Sequence, residues 1–195
     1  MKLTDQNQSR SISKKWHYQK HFVYREIADF VYQWLPEDKS DIVIVCIGSD
    51  RSTGDALGPI TGTHLSKWRL TRFHVYGTLK KPVHALNLTD ELSRINKSHP
   101  HAFIIAIDAC LGRATSIGKI TASVGPLKPG LALKKKLPEV GHLHITGIVN
   151  ASTPVDYLTL QNTRLHLVME LAETIARSFL YLQRNYIDKR KQQIN

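Results

Sequence analysis

The sequence predicts an α/β fold: a mixed, mostly parallel sheet in a three-layer arrangement, flanked by helices. Three observations carry that expectation. "DIVIVCIG" (41–48) and "HAFIIAIDAC" (101–110) are continuous apolar runs without alternation, the pattern of strands covered on both faces. Segments with helical spacing of apolar residues alternate with such runs, as in doubly wound sheets. Between 102 and 149, three strands follow one another with no convincing helix between them, so part of the sheet is expected to be antiparallel.

Taken in order, residues 1–19 read as a polar, flexible segment, 20–185 as a single α/β domain and 186–195 as a basic tail. From Lys20 to Leu35, the residues Phe22, Ile27, Phe30, Val31 and Trp34 recur at roughly helical spacing, and Pro36 follows. After the first strand, "GPITGTHLSKWRL" predicts a helix with Gly58 near its start and Pro59 in the first turn, where a missing N–H is tolerated. "FHVYG" predicts a strand, and "NLTDELSRIN" a short helix with Asn87 or Thr89 able to cap it. "GKITASVGP" and "HLHITGIVN" are further strands. The last helix is expected to start at a Thr153 cap with Pro154 and Asp156 in its first turn. Leu158, Leu165, Val168, Leu171, Ile175, Phe179 and Leu182 then form one apolar stripe.

The chain carries 27 basic and 16 acidic residues, a formal charge of +11. The excess is spread over residues 64–81, the loop 125–141 and the tail, so a solvated surface explains most of it. A basic face also favours acidic partners. No zinc-finger spacing, basic zipper or RNP-type motif accompanies the charge, which leaves nucleic-acid binding unsupported. The two cysteines, Cys46 and Cys110, do not make a disulfide framework. The first residues lack the apolar core of a secretory signal, and no stretch approaches the roughly 18 apolar residues of a membrane span. A cytoplasmic protein with no membrane partner is expected.

The loop "GSDRSTGDALGP" leaves one strand and enters a helix, a usual place for chemistry. It has neither the spacing nor the lysine of a P-loop, and lacks G-x-G-x-x-G. A carboxylate entering the helix would also repel a phosphate. Asp55 in this loop and Asp108 at the end of "FIIAID" both sit at carboxyl ends of strands, so a parallel sheet places them on one rim. Two such carboxylates can share a proton and divide into an acid and a base. They can also bind a divalent cation with an imidazole as third ligand. His64, His74, His99 and His101 form no zinc spacing and read as surface or capping residues. Cys110 lies two residues beyond Asp108, while Cys46 reads as core.

"IGSDRSTGDALGP" with "AIDACLG" resembles the paired motifs of the germination (spore) protease family and, more distantly, the maturation endopeptidases of nickel hydrogenases. The run from about 41 to 183, with "GPLKPG", "LPEVG", "HITGIVN" and "LQNTRLHLVMELAETIA", resembles the YyaC group of sporulation proteins. The resemblance covers roughly three quarters of the chain. It implies a hydrogenase-maturation-peptidase/phosphorylase-like sheet and a peptidase-like site, with Asp55 and Asp108 matching the catalytic aspartates of the germination protease. The hydrogenase peptidases imply a metal alternative, with His142 or His144 joining Asp55 and Asp108. Strand alternation is expected to let at most one of those histidines reach the site.

The function this implies is a germination-protease-like endopeptidase of sporulation, an atypical aspartic peptidase that needs no cofactor or is metal-assisted. It would act on spore-core proteins in the cytoplasm of the sporulating cell or in the spore core. Lys134, Lys135 and Lys136, in the long Pro/Gly/Lys loop, are expected to dock an acidic protein substrate. The alternative is a non-catalytic sporulation protein that uses the same fold and a basic face to bind an acidic partner.

Overall fold

The computed structural model describes residues 12–37, 41–68, 70–130 and 137–187. Their strands are β1 (Ser13–His17), β2 (Ile42–Cys46), β3 (Phe73–Tyr76), β4 (Phe103–Gly112), β5 (Lys119–Val124) and β6 (Leu143–Ala151). The helices are α1 (Val23–Tyr32), α2 (Leu57–Lys67), α3 (Leu88–Ser98), α4 (Asp156–Gln161) and α5 (Leu165–Leu182). Among the described residues the strands form one sheet in the order β1-β5-β6-β4-β2-β3. β3, β2, β4 and β6 are mutually parallel, and β5 and β1 continue the sheet antiparallel. The mixed sheet is therefore as expected, and its antiparallel part is the β5 edge.

The unbroken apolar runs are explained by two cores. Ile42, Ile44 and Cys46 of β2 face the layer of α1, α2 and α5, while Val43, Val45 and Ile47 face α3 through Leu88 and Ile95. A strand with cover on both sides has no polar face to alternate with. Phe179 of α5, fully buried, packs edge-on against Phe73, with ring centroids 5.6 Å apart. α5 packs against both α1 and α2, which closes that layer.

Two expectations are corrected. The segment 1–19, expected to be flexible, supplies β1, which pairs with β5 from Ser13↔Ser123 to His17↔Lys119. The one apolar residue of β1 is the anchor: Trp16 is buried, edge-on to Phe30 at 6.0 Å, with its indole N–H donated to Glu26 at 2.9 Å. A single buried side chain in a polar stretch leaves almost no periodic signal. Residues 1–11 lie outside the described set, as does the end of the basic tail from 188.

The helix expected from Thr153 to Leu182 is two helices. Asn162 Nδ2 donates to the Leu158 carbonyl at 2.8 Å and Thr163 Oγ1 to the Thr159 carbonyl at 2.9 Å. The Thr163 hydroxyl takes the carbonyl that a continuing helix would offer to the Thr163 N–H, which turns to the Leu160 carbonyl at 3.4 Å instead. Arg164 then takes an extended backbone before α5 begins. Thr153 is not the cap; its N–H donates to Asp156 Oδ1 at 2.9 Å. Leu158 and Leu165 consequently stand half exposed, and the buried stripe starts at Val168.

Candidate active site

The loop after β2 is fixed by backbone contact before any side chain acts. Gly48 has φ +143°, and a Cβ there would lie 2.0 Å from the Asp55 carbonyl oxygen and 2.9 Å from the Pro59 ring. Its N–H donates to Val83 O at 2.8 Å, and the Ser49 N–H donates to Asp55 O at 3.2 Å. The loop therefore folds back on itself and delivers Asp55 in a single 3-10 turn, Gly54–Ala56, at the entrance of α2. Gly58 lets that helix press on β2, since a Cβ there would lie 2.0 Å from Ile47 O.

Asp108 arrives from the neighbouring strand. It lies beyond the residues of β4 that pair with β2, opposite Thr146 of β6, and its Oδ1 accepts the Ala109 N–H at 2.8 Å. Asp55 and Asp108 are both half-buried and line one cleft of about 1130 Å³. Burial, with the nearby Asp55 carboxylate adding to it, pushes the Asp108 carboxyl up to about 8 despite the Ala109 N–H. Burial also raises Asp55 above the usual carboxylate range. Asp108 therefore holds its proton near neutral pH, mainly because it is buried and in smaller part because a second carboxylate is near.

The other groups of the cleft limit what it can do. Cys110 lies on its wall, but burial pushes its thiol up, which keeps it from being a thiolate nucleophile. Cys46 is buried in β2 and belongs to the core. His144 lines the cleft with its Nδ1 held 2.9 Å from the Gly125 carbonyl. His142 does not line it: Nδ1 accepts the Ile104 N–H at 3.0 Å and the ring stacks on Phe103. The expectation that the two histidines alternate faces is corrected here, because residues two apart share a face in a strand. What separates them is that His142 precedes β6 and is tied to β4.

Among the described residues, the group of three metal-ligating side chains whose donor atoms all lie within 4.8 Å of one another is Asp41, His74 and His99, at the other end of the sheet. Lys134, Lys135 and Lys136 lie outside the described residues. The flanks of their loop do reach the cleft, through Leu127, Lys128 and Glu139, and Lys128 pairs with Glu139 at 3.2 Å. Leu86, the most exposed large apolar residue described, also lines the cleft and was not singled out by sequence. A lone leucine in the loop between β3 and α3 gives no signal of that place.

Fold and site together define an α/β protein with a carboxylate-bearing cleft beyond the carboxyl ends of its parallel strands, the position such sheets use for ligands. The chain belongs to the family described as "Protein of unknown function (DUF1256)", whose model matches residues 15–178. It is 58% identical over 135 residues to "Uncharacterized protein YyaC" of Bacillus subtilis (strain 168), a match covering 69% of this chain and 66% of that protein. The chain thus spans just under two thirds of that relative's length. The YyaC resemblance read from the sequence is borne out. Among solved structures it is similar to the [NiFe] hydrogenase maturation protease HycI from Thermococcus kodakarensis KOD1, with a TM-score of 0.47 and 15% identity over 75% of this chain and 94% of that one. No helix among the described residues is long and apolar enough to cross a membrane.

Proposed function

We propose that this protein is a germination-protease-like endopeptidase of sporulation that cleaves a protein substrate through Asp55 and Asp108. The observation that carries the reading is the pair itself: two aspartates from separate motifs meet in one cleft, and one of them is raised to about 8. The cleft, at about 1130 Å³, is larger than the roughly 300–1,000 Å³ of small-ligand pockets, a size suited to a segment of peptide.

In this mechanism Asp108 carries the proton and Asp55 is the base. Asp55 takes a proton from a water as its oxygen bonds to the peptide carbonyl carbon. Asp108 gives its proton to the amide nitrogen as the C–N bond breaks. The pair ends with its proton exchanged between carboxyls and is reset through solvent. No step needs a metal, and Cys110 takes no part. Because Asp108 must be protonated, cleavage should decline as pH rises through about 8.

The test is to incubate the purified protein with spore-core protein extract beside an Asp55→Asn/Asp108→Asn double variant and to map new peptide termini by mass spectrometry. New termini made only by the wild type are expected. Identical maps across a range of pH and divalent metals would overturn the reading in favour of a non-catalytic protein that binds an acidic partner.

A further inference from the structure

At the amino end of the sheet, opposite the cleft, three side chains from three segments converge. Asp41 precedes β2, His74 is the second residue of β3, and His99 caps the carboxyl end of α3. His99 Nδ1 lies 2.8 Å from Asp41 Oδ2, His74 Nε2 lies 3.6 Å from Asp41 Oδ1, and the two imidazole rings are 4.1 Å apart. We propose that Asp41, His74 and His99 form a binding site for a divalent cation of the zinc class.

One donor atom from each of the three side chains lies within 4.8 Å of the others, close enough for one ion to reach all three. Ligands about 2.0–2.1 Å from a tetrahedral ion lie about 3.3–3.5 Å from one another, and the two separations to Asp41 bracket that value. Two imidazoles and one carboxylate suit zinc, cobalt or nickel better than calcium or magnesium. Asp41 and His74 are about half exposed at the side chain, so an ion can enter from solvent with waters completing its shell.

His99 is also positioned from behind. Its Nε2 lies 3.0 Å from the Tyr76 hydroxyl, the outer-shell contact that orients a metal-ligating histidine. When Nδ1 gives up its proton to bind metal, the neutral ring carries it on Nε2, and the tyrosine oxygen can accept it. The carboxyl end of α3 adds the negative end of a helix dipole beside the site. A bound ion would tie together the start of β2, the edge strand β3 and the turn into β4. This site is independent of the peptidase reading, since none of its residues lines the Asp55–Asp108 cleft.

The experiment is calorimetric titration of zinc(II) into the full chain, with thermal unfolding followed with and without zinc. Asp41→Asn, His74→Ala and His99→Ala are compared with a His166→Ala surface control and the Asp55→Asn/Asp108→Asn variant. One zinc per chain is expected, with affinity reduced about tenfold or more in each cluster variant and unchanged in both controls. Zinc should raise the Tm of the wild type and of the controls, but not of the cluster variants. Cluster variants that bind zinc as tightly as the wild type, binding lost only in the Asp55→Asn/Asp108→Asn variant, or no binding by the wild type would each overturn the proposal.

Discussion

Within β4, just past its pairing with β2, Asp108 exchanges water for protein and faces a second carboxylate, and both changes disfavour its charged form. Its carboxyl moves from an ordinary 3.8 to about 8, so between those values the folded chain holds a proton that the unfolded chain has lost. The stability this group contributes is full below about pH 4 and is lost as pH rises through about 8. Asparagine cannot ionise, so Asp108→Asn should escape that loss. Its Tm should overtake the wild type's as pH is raised from 5 to 9, by about 5 °C at the upper end. Thermal melts that stay parallel across that range would show that Asp108 is not held protonated.

Asp55 and Asp108 stood out in the sequence because each follows an unmistakable apolar run, although β4 continues past Asp108 to Gly112. The Asp41, His74 and His99 cluster was not, since its members are 33 and 25 residues apart in sequence and meet only through strand register. His144 could be singled out, but not its tie to Gly125, which depends on how the loop after β5 turns.

Among the elements, those with long buried faces follow their sequence pattern closely. β2, β4 and α5 bury so many side chains that tertiary context reinforces local preference. The elements that departed are those decided by a few polar contacts. β1 rests on Trp16, and the α4–α5 break on the Asn162 and Thr163 side chains. Trp16→Ala should therefore cost about 3 kcal/mol in urea unfolding, the magnitude of emptying a buried aromatic site. A loss under about 0.5 kcal/mol would mean that the strand adds nothing to the core.

For the whole molecule, the sheet order is what makes the site. β4 lies between β2 and β6, so the Asp55 loop, Asp108 and Thr146 come from neighbouring parallel strands that end on the same side. The sequence indicated parallel strands and a rim of carboxylates, but not which strands were neighbours. That depends on β6 inserting between β4 and β5, a long-range choice without a local signature. The central claim is that this arrangement keeps Asp108 protonated beside Asp55 near neutral pH. It is tested most directly by following the aspartate carboxyl carbons by NMR from pH 3 to 10, in the wild type and in Asp55→Asn. The account predicts that Asp108 titrates at about 8 in the wild type and at a lower pH once the Asp55 charge is gone. Asp55 and Asp108 titrating independently, both below about pH 5, would contradict it.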